Sequence, residues 1–453
     1  MPEVWPRAVL DLLAAAGERT VFEHGDRRVS GTEMSALIRR IAAGLRRDGI
    51  GPGDGVVLAL GVHPEAFAAV FAAFAVGARV AGVRADQLGD VLADADATLV
   101  DEGRLAGLLR SPDLPLRVAG RPEDPARVIY TSGSTGKPKG CAHTYAAMTA
   151  GWAAHPDRWP PAVRELAARL DRYLVFGSLS SQVMLEYGVL ALAAGGTLVA
   201  AHPPAFPAAI ARHRATASVI TVGKLHQLVR DQRADPADLS TLRALMVSGS
   251  PLDPGRLAEA LDVLGPVIFH GYGQTETGMI AMVTPDEMLA SPAALASVGR
   301  PPDAVGVSLR DGELYVRTPA QASAYWRDPA ETAEVFVAGW VRTRDLATID
   351  DQGYLRLLGR TRDVIFVHAE LVHAGPVERT LAAHPDVAEA YVVGRPDDET
   401  GEAVHAFVVP ATGRRPDPAT LRGLLAGAAT PKTVTVIDRV PLTAAGKPDK
   451  SAL

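Results

Sequence analysis

Residues 128–140 read Val128-Ile129-Tyr130-Thr131-Ser132-Gly133-Ser134-Thr135-Gly136-Lys137-Pro138-Lys139-Gly140, and the reading of the fold starts from this stretch. Its first four residues are apolar or β-prone and predict a strand. The strand empties into a loop where Gly133, Gly136 and Gly140 alternate with hydroxyls and two lysines. Small residues let backbone N–H groups approach a phosphate, Ser132, Ser134 and Thr135 add donors, and Lys137 and Lys139 add positive charge. The pattern predicts a polyphosphate cradle.

The cradle is not a nucleotide P-loop, which needs Gly, four residues, then Gly-Lys-Ser/Thr opening a helix. Here Pro138 follows Gly136-Lys137, and Thr131 stands where the first glycine belongs. Outward from the loop, residues 31–47 have helical spacing, 55–60 form a short apolar strand and 65–76 an apolar helix of core length. Strands at 196–200, 218–222 and 244–248 recur between helices. This alternation predicts an α/β fold with a large multi-layer domain over residues 1–361. Beyond it, a strand at 364–367, a helix at 375–383, strands at 388–394 and 405–409, a helix at 418–425 and a strand at 433–437 predict a small α+β lid over residues 362–453. The tail 442–453 carries Gly446 and Pro448 and is expected to be mobile.

At 453 residues, 47% hydrophobic and 22% charged, the chain has the composition of a soluble two- or three-domain protein. A net charge of −6 offers no electrostatic reason to bind nucleic acid or an anionic membrane. No basic-then-apolar leader opens the sequence, and glycines and prolines interrupt the apolar stretch 187–211, so a cytoplasmic location is expected. The single cysteine, Cys141, excludes an intramolecular disulfide and reads as a small buried residue. The 12 histidines show no zinc-ligand spacing.

Four further motifs follow in order: Gly271-Tyr272-Gly273-Gln274-Thr275-Glu276-Thr277, Gly339-Trp340-Val341-Arg342-Thr343-Arg344-Asp345, Gly359-Arg360-Thr361-Arg362-Asp363, and Pro441-Leu442-Thr443 through Gly446-Lys447. Together with the cradle they resemble the adenylate-forming superfamily of acyl-CoA synthetases, peptide-synthetase adenylation domains and luciferases, over nearly the whole chain. The resemblance implies a ligase that activates a carboxylic acid with ATP and Mg²⁺. The loop from Thr131 to Gly140 would hold the β- and γ-phosphates. Thr275 would donate to the α-phosphate, Glu276 would ligate Mg²⁺, and Tyr272 would stack on adenine beside Gly273, Gly249 and Ser250. Asp345 would accept from the ribose hydroxyls, with Arg360 at ribose or phosphate. Lys447 would neutralise charge between the α-phosphate and the attacking carboxylate, and Arg362 would be the hinge about which the lid withdraws it.

The acid pocket is expected from Ser180, Ser181, Met184, Val222, Gly223, His270 and Gly271. Serines stand where amino-acid-activating relatives place an aspartate, so a small aryl or short acid is expected. Lys224 either pairs a second anionic group or is solvated. The chain departs from the family at Ala369 and Leu371, where a glycine and a basic residue usually flank the thiol tunnel. At Arg344 it departs from a glycine, and this side chain either reaches a phosphate or the acid, or faces solvent. Residues 83–128 are short relative to the family, which suits a specialised, secondary-metabolic ligase. The acceptor is coenzyme A or the phosphopantetheine of an acyl or aryl carrier protein. The alternatives are an adenylating enzyme with an amine acceptor or a small inorganic acid as substrate, and a catalytically idle scaffold.

Overall fold

The seventeen residues from Gly31 to Arg47 show why the first layer forms. Met34, Ile38, Ile41, Ala42 and Leu45 recur on one face of the helix Gly31–Arg47 and are buried. Ser30 caps it by accepting from the Glu33 N–H, and Arg46 and Arg47 sit in the last turn. The helix Pro64–Ala75 is apolar all round and buried from Ala66 to Ala75, which makes it core. The computed structural model describes the chain except residues 1–2, 83–87, 133–137, 176, 178–180, 202–205, 250–251, 362, 369, 412 and 443–447; side chains are also undescribed at 90, 93–95, 131–132, 138 and 451.

Among the described residues the strands form four sheets. The first runs Gly278–Val283, Ile268–Gln274, Ala244–Ser248, Ala217–Thr221, Arg172–Val175, Thr197–Ala200, Thr20–His24, Arg27–Ser30, parallel except at its two edges. The second runs Ala324–Tyr325, Pro138–Thr144, Pro125–Ser132, Arg79–Gly82, Gly55–Leu58, Ala97–Val100. Helices cover both, and the largest hydrophobic cluster lies between them, joining Phe67, Phe71 and Phe74 to Tyr173, Met184, Met246 and Phe269. A second cluster packs the other face of the first sheet against the helices Val222–Ala234 and Pro254–Leu264. The α/β expectation holds.

A third sheet, antiparallel, was not foreseen. It is built from Gly306–Arg310, Glu313–Arg317, Trp340–Ile349, Phe336–Val337 and Leu355–Arg360. Its signal was present: Asp311-Gly312 links the first two strands, with φ of 51° and 80° at the two residues. Asp-Gly is the favoured pair for a tight hairpin that needs both residues left-handed.

The C-terminal unit has its own cluster around Ile365, Val377, Leu381, Val392, Ala406 and Leu421. Its sheet runs Glu370–His373, Val364–Val367, Gly401–Pro410, Val387–Asp397, with Thr433–Val436 parallel to Gly401–Pro410. It meets the large unit where Arg256 Nη2 donates to the Val387 carbonyl at 2.6 Å. The described part of the tail is tied down rather than mobile. Leu442 bridges Pro448, the Asp449 N–H donates to the Pro441 carbonyl at 2.8 Å, and Lys450 Nζ lies 2.7 Å from Glu378 and 3.1 Å from Asp363. Two carboxylates hold the Lys450 ammonium, and sequence spacing alone does not reveal them.

Candidate active site

The cradle is a β-hairpin. Pro125–Ser132 pairs antiparallel with Pro138–Thr144 in the register Thr131↔Lys139 and Ser132↔Pro138. A strand returning as a strand, with no helix behind the loop, is the physical reason that the P-loop pattern fails. Gly133, Ser134, Thr135, Gly136 and Lys137 lie outside the described residues, as do the side chains of Thr131 and Ser132. Gly140 is buried in the returning strand. Lys139 Nζ sits 2.9 Å from Glu331 Oε1. Cys141 is buried, and burial pushes its thiol up, so it stays protonated.

Thr275 and Glu276 sit in the turn between Ile268–Gln274 and Gly278–Val283. Gly273 is required there, because a Cβ would fall 2.4 Å from the Gly278 carbonyl oxygen. His143 Nε2 lies 2.9 Å from the Thr275 carbonyl. Burial, and then Arg127, lower the pKa of His143 to about 4. The ring is therefore neutral near pH 7 and donates to one of the two carbonyls it faces, that of Thr275 at Nε2 or that of Ala320, 3.3 Å from Nδ1. The Ala322 N–H donates to the Glu276 carbonyl at 2.8 Å, and the Tyr325 phenol donates to Glu276 Oε1 at 2.5 Å. Tyr325 comes from the short strand Ala324–Tyr325 that pairs with the cradle's second strand. The turn is thus tied to the phosphate hairpin through both His143 and Tyr325.

Mg²⁺ binds oxygen, keeps several waters and commonly takes one or two carboxylates plus phosphate oxygens. Glu276, a single carboxylate beside the phosphate hairpin, fits that habit. Among the described residues no group of three or more His, Cys, Asp or Glu could hold a metal ion.

On the other side of the turn Asp345 is buried and pairs in register with Arg360. Arg360 Nε lies 2.6 Å from Asp345 Oδ1, Gln274 Nε2 donates to Oδ2 at 2.6 Å, and the Tyr272 phenol donates to the same oxygen. Burial raises the Asp345 carboxyl and Arg360 opposes the rise. Tyr272, expected on adenine, and Asp345, expected on ribose, are therefore bonded to each other. Ribose hydroxyls would have to share or displace these donors.

The acid-pocket residues divide between two faces of the first sheet. Met184 and Met246 lie in the inter-sheet cluster, and Gly271 faces Met246: a Cβ there would fall 2.0 Å from the Met246 methyl. His270 pairs with Val247 and Val283, both in the opposite, helix-covered cluster, and Val222 packs in that cluster too. Strand alternation puts His270 and Gly271 on different faces, so His270 and Val222 do not join Met184. Burial lowers the His270 pKa to about 4. Ser181 is a helix cap, accepting from the Met184 N–H at 3.1 Å, and Gly223 is exposed. Gly249 ends its strand with φ 97°, a conformation suited to glycine. Ser180, Ser250, Arg362, Ala369 and Lys447 lie outside the described residues. Leu371 is exposed, and among the described residues Arg344 pairs with Glu331 at 2.8 Å and Glu334 at 3.0 Å.

The family model of AMP-binding enzymes matches residues 12–101 and 106–326, and that of the AMP-binding enzyme C-terminal domain matches 376–447. The chain belongs to the AMP-binding enzyme family. This AMP-binding enzyme is 32% identical to a feruloyl-CoA synthase of Amycolatopsis sp. over 94% of each chain. It is 31% identical to an indoleacetate–CoA ligase of Aromatoleum aromaticum over 95% of this chain and 93% of that one. Among solved structures it resembles the amide bond synthetase McbA of Marinactinospora thermotolerans, 34% identical over 98% of each chain with a TM-score of 0.85. No helix among the described residues is long and apolar enough to cross a membrane.

Proposed function

We propose that this enzyme is an ATP-dependent acid ligase that makes an acyl-adenylate and then passes the acyl group to a thiol, coenzyme A or a carrier-protein pantetheine. The observation that carries the reading is the reach of one hairpin. From the Thr275–Glu276 turn it contacts the phosphate hairpin through His143 and Tyr325, and from Tyr272 and Gln274 it contacts Asp345. A nucleotide lying along that hairpin would meet phosphate donors at one end and the Asp345–Arg360 pair at the other.

In the first step a carboxylate oxygen of the acid attacks the α-phosphorus, the bond to the bridging oxygen of the β-phosphate breaks, and pyrophosphate leaves. Thr275 would donate to the α-phosphate, and Lys139 and Lys137 would hold the leaving phosphates. By its resemblance to the family's terminal lysine motif, Lys447 would neutralise charge between the two reacting anions, whose repulsion is the main obstacle to the step. Mg²⁺ held by Glu276 would neutralise the departing pyrophosphate. The acid is an aryl acid: the feruloyl and indoleacetate relatives are named for aromatic acids, and Met184 and Met246 beside the bare Gly271 would offer it adaptable thioether surface.

A second reading replaces the thiol by an amine. The 34% identity to an amide bond synthetase favours it, as do Ala369 and Leu371 at the positions that resemble the thiol tunnel. Supplying the enzyme with ATP, an aryl acid and either coenzyme A or a panel of amines separates the two. Thioester formation supports the first reading, amide with no thioester supports the second, and neither product with any acid would contradict both.

A further inference from the structure

Glu331 Oε1 accepts from two cations at once, Lys139 Nζ at 2.9 Å and Arg344 Nη1 at 2.8 Å. Its side chain is only 15% exposed and that of Lys139 19%. The second guanidinium nitrogen of Arg344 reaches the exposed Glu334. Burial works to raise the Glu331 carboxyl, and Lys139 and Arg344 outweigh it, so the group stays ionised. Arg344 holds this position with φ 59°, a left-handed backbone that a non-glycine residue adopts only against resistance. A side chain kept at such a site is one whose contact compensates the backbone.

Lys139 leaves the cradle's second strand beside the loop that would receive the triphosphate. To reach a phosphate it must give up Glu331. Left alone, Glu331 would become a largely enclosed carboxylate without a cation, which is costly. Arg344 removes that penalty, because it still holds Glu331 after Lys139 departs.

We propose that Arg344 is a positioning residue for nucleotide binding: through Glu331 it releases Lys139 from its resting ion pair to the triphosphate. Glu331 is the matching brake. The proposal rests on the reading of Lys139 as a triphosphate contact.

Steady-state kinetics of pyrophosphate release with varied ATP test it in Arg344→Gly, Arg344→Lys, Glu331→Gln, Lys139→Ala and the double variant Arg344→Gly/Glu331→Gln. Arg344→Gly relaxes the backbone, so a folding defect is not expected to mask the result. The expected outcome is a KM for ATP raised about fivefold by Arg344→Gly with little change in kcat, retention by Arg344→Lys, and no rise when Glu331 is already Gln. An equal rise in the Glu331→Gln background, or no rise in either, would overturn the proposal. If Lys139→Ala leaves KM for ATP unchanged, the triphosphate reading of Lys139 is itself overturned, and the proposal with it.

Discussion

The Tyr325 phenol donates a 2.5 Å hydrogen bond to Oε1 of Glu276, from a residue 49 positions further along the chain. Burial, and then Glu276 itself, push the phenol far above its ordinary range, so it remains a donor at every working pH. The bond fixes the carboxylate that would ligate Mg²⁺. Tyr325→Phe removes a hydrogen bond to a charged group and is expected to raise the Mg²⁺ concentration for half-maximal pyrophosphate release about tenfold, leaving the acid's KM unchanged. Titration of activity with Mg²⁺ checks it.

Gly271 and Met246 lie against each other and, on the proposed function, would set the floor of the acid pocket. In Gly271→Ala the new Cβ would sit 2.0 Å from the Met246 methyl, which must swing away and, on the proposed function, would enter the space the acid takes. The expected result is a tenfold or greater loss in kcat/KM for a bulky aryl acid, on the order of 1.4 kcal/mol, with KM for ATP unaffected. Met246→Ala in the same chain restores it. Kinetics with a graded series of acids measures both.

Glu186, on the helix Gln182–Ala193, has its carboxyl raised to about 7, by burial first and with Arg127 pulling the other way. A folded pKa above the unfolded one means a stabilising contribution that is complete below about 4.5 and lost as the pH rises through about 7. His143 and His270, lowered to about 4, act in the opposite sense: their contribution is present above about 6.5 and lost as the pH falls toward 4. The difference between wild type and Glu186→Gln isolates the carboxylate. From pH 5 to pH 8 the variant is expected to gain up to about 3 kcal/mol on wild type, measured by denaturant unfolding at each pH.

The parts of the site that a sequence can display are those in which residue type and short spacing do the work. The strand leading into the Gly-Ser-Thr-Lys loop and the residue types of the Tyr272–Thr277 and Gly339–Asp345 motifs are legible for that reason; the return of the loop as a strand and the antiparallel sheet that holds Asp345 are not. His143, Gln274, Tyr325 and Glu331 were missed because their roles appear only when distant segments meet; His143 and the Thr275 carbonyl are 132 residues apart. Tyr325-Trp326-Arg327-Asp328-Pro329 did carry a local signal, an aromatic pair ahead of an Asp-Pro helix start, and Asp328 does cap the helix Pro329–Val335. His270 was read into the pocket against strand alternation, which assigns it to the face opposite Gly271. The edges of the parallel strands were legible to within a few residues, since fully buried runs such as Gly55–Leu58 are continuous apolar stretches.

The central claim is adenylation, and acid-dependent exchange of labelled pyrophosphate into ATP tests it most directly. Wild type, supplied with Mg²⁺ and a suitable aryl acid and no acceptor, is expected to exchange label. Glu276→Gln and Lys447→Ala are expected to lose at least about a hundredfold of that rate, the usual scale for removing a group that stabilises developing charge. Exchange that proceeds without acid, or at full rate in both variants, would contradict the account.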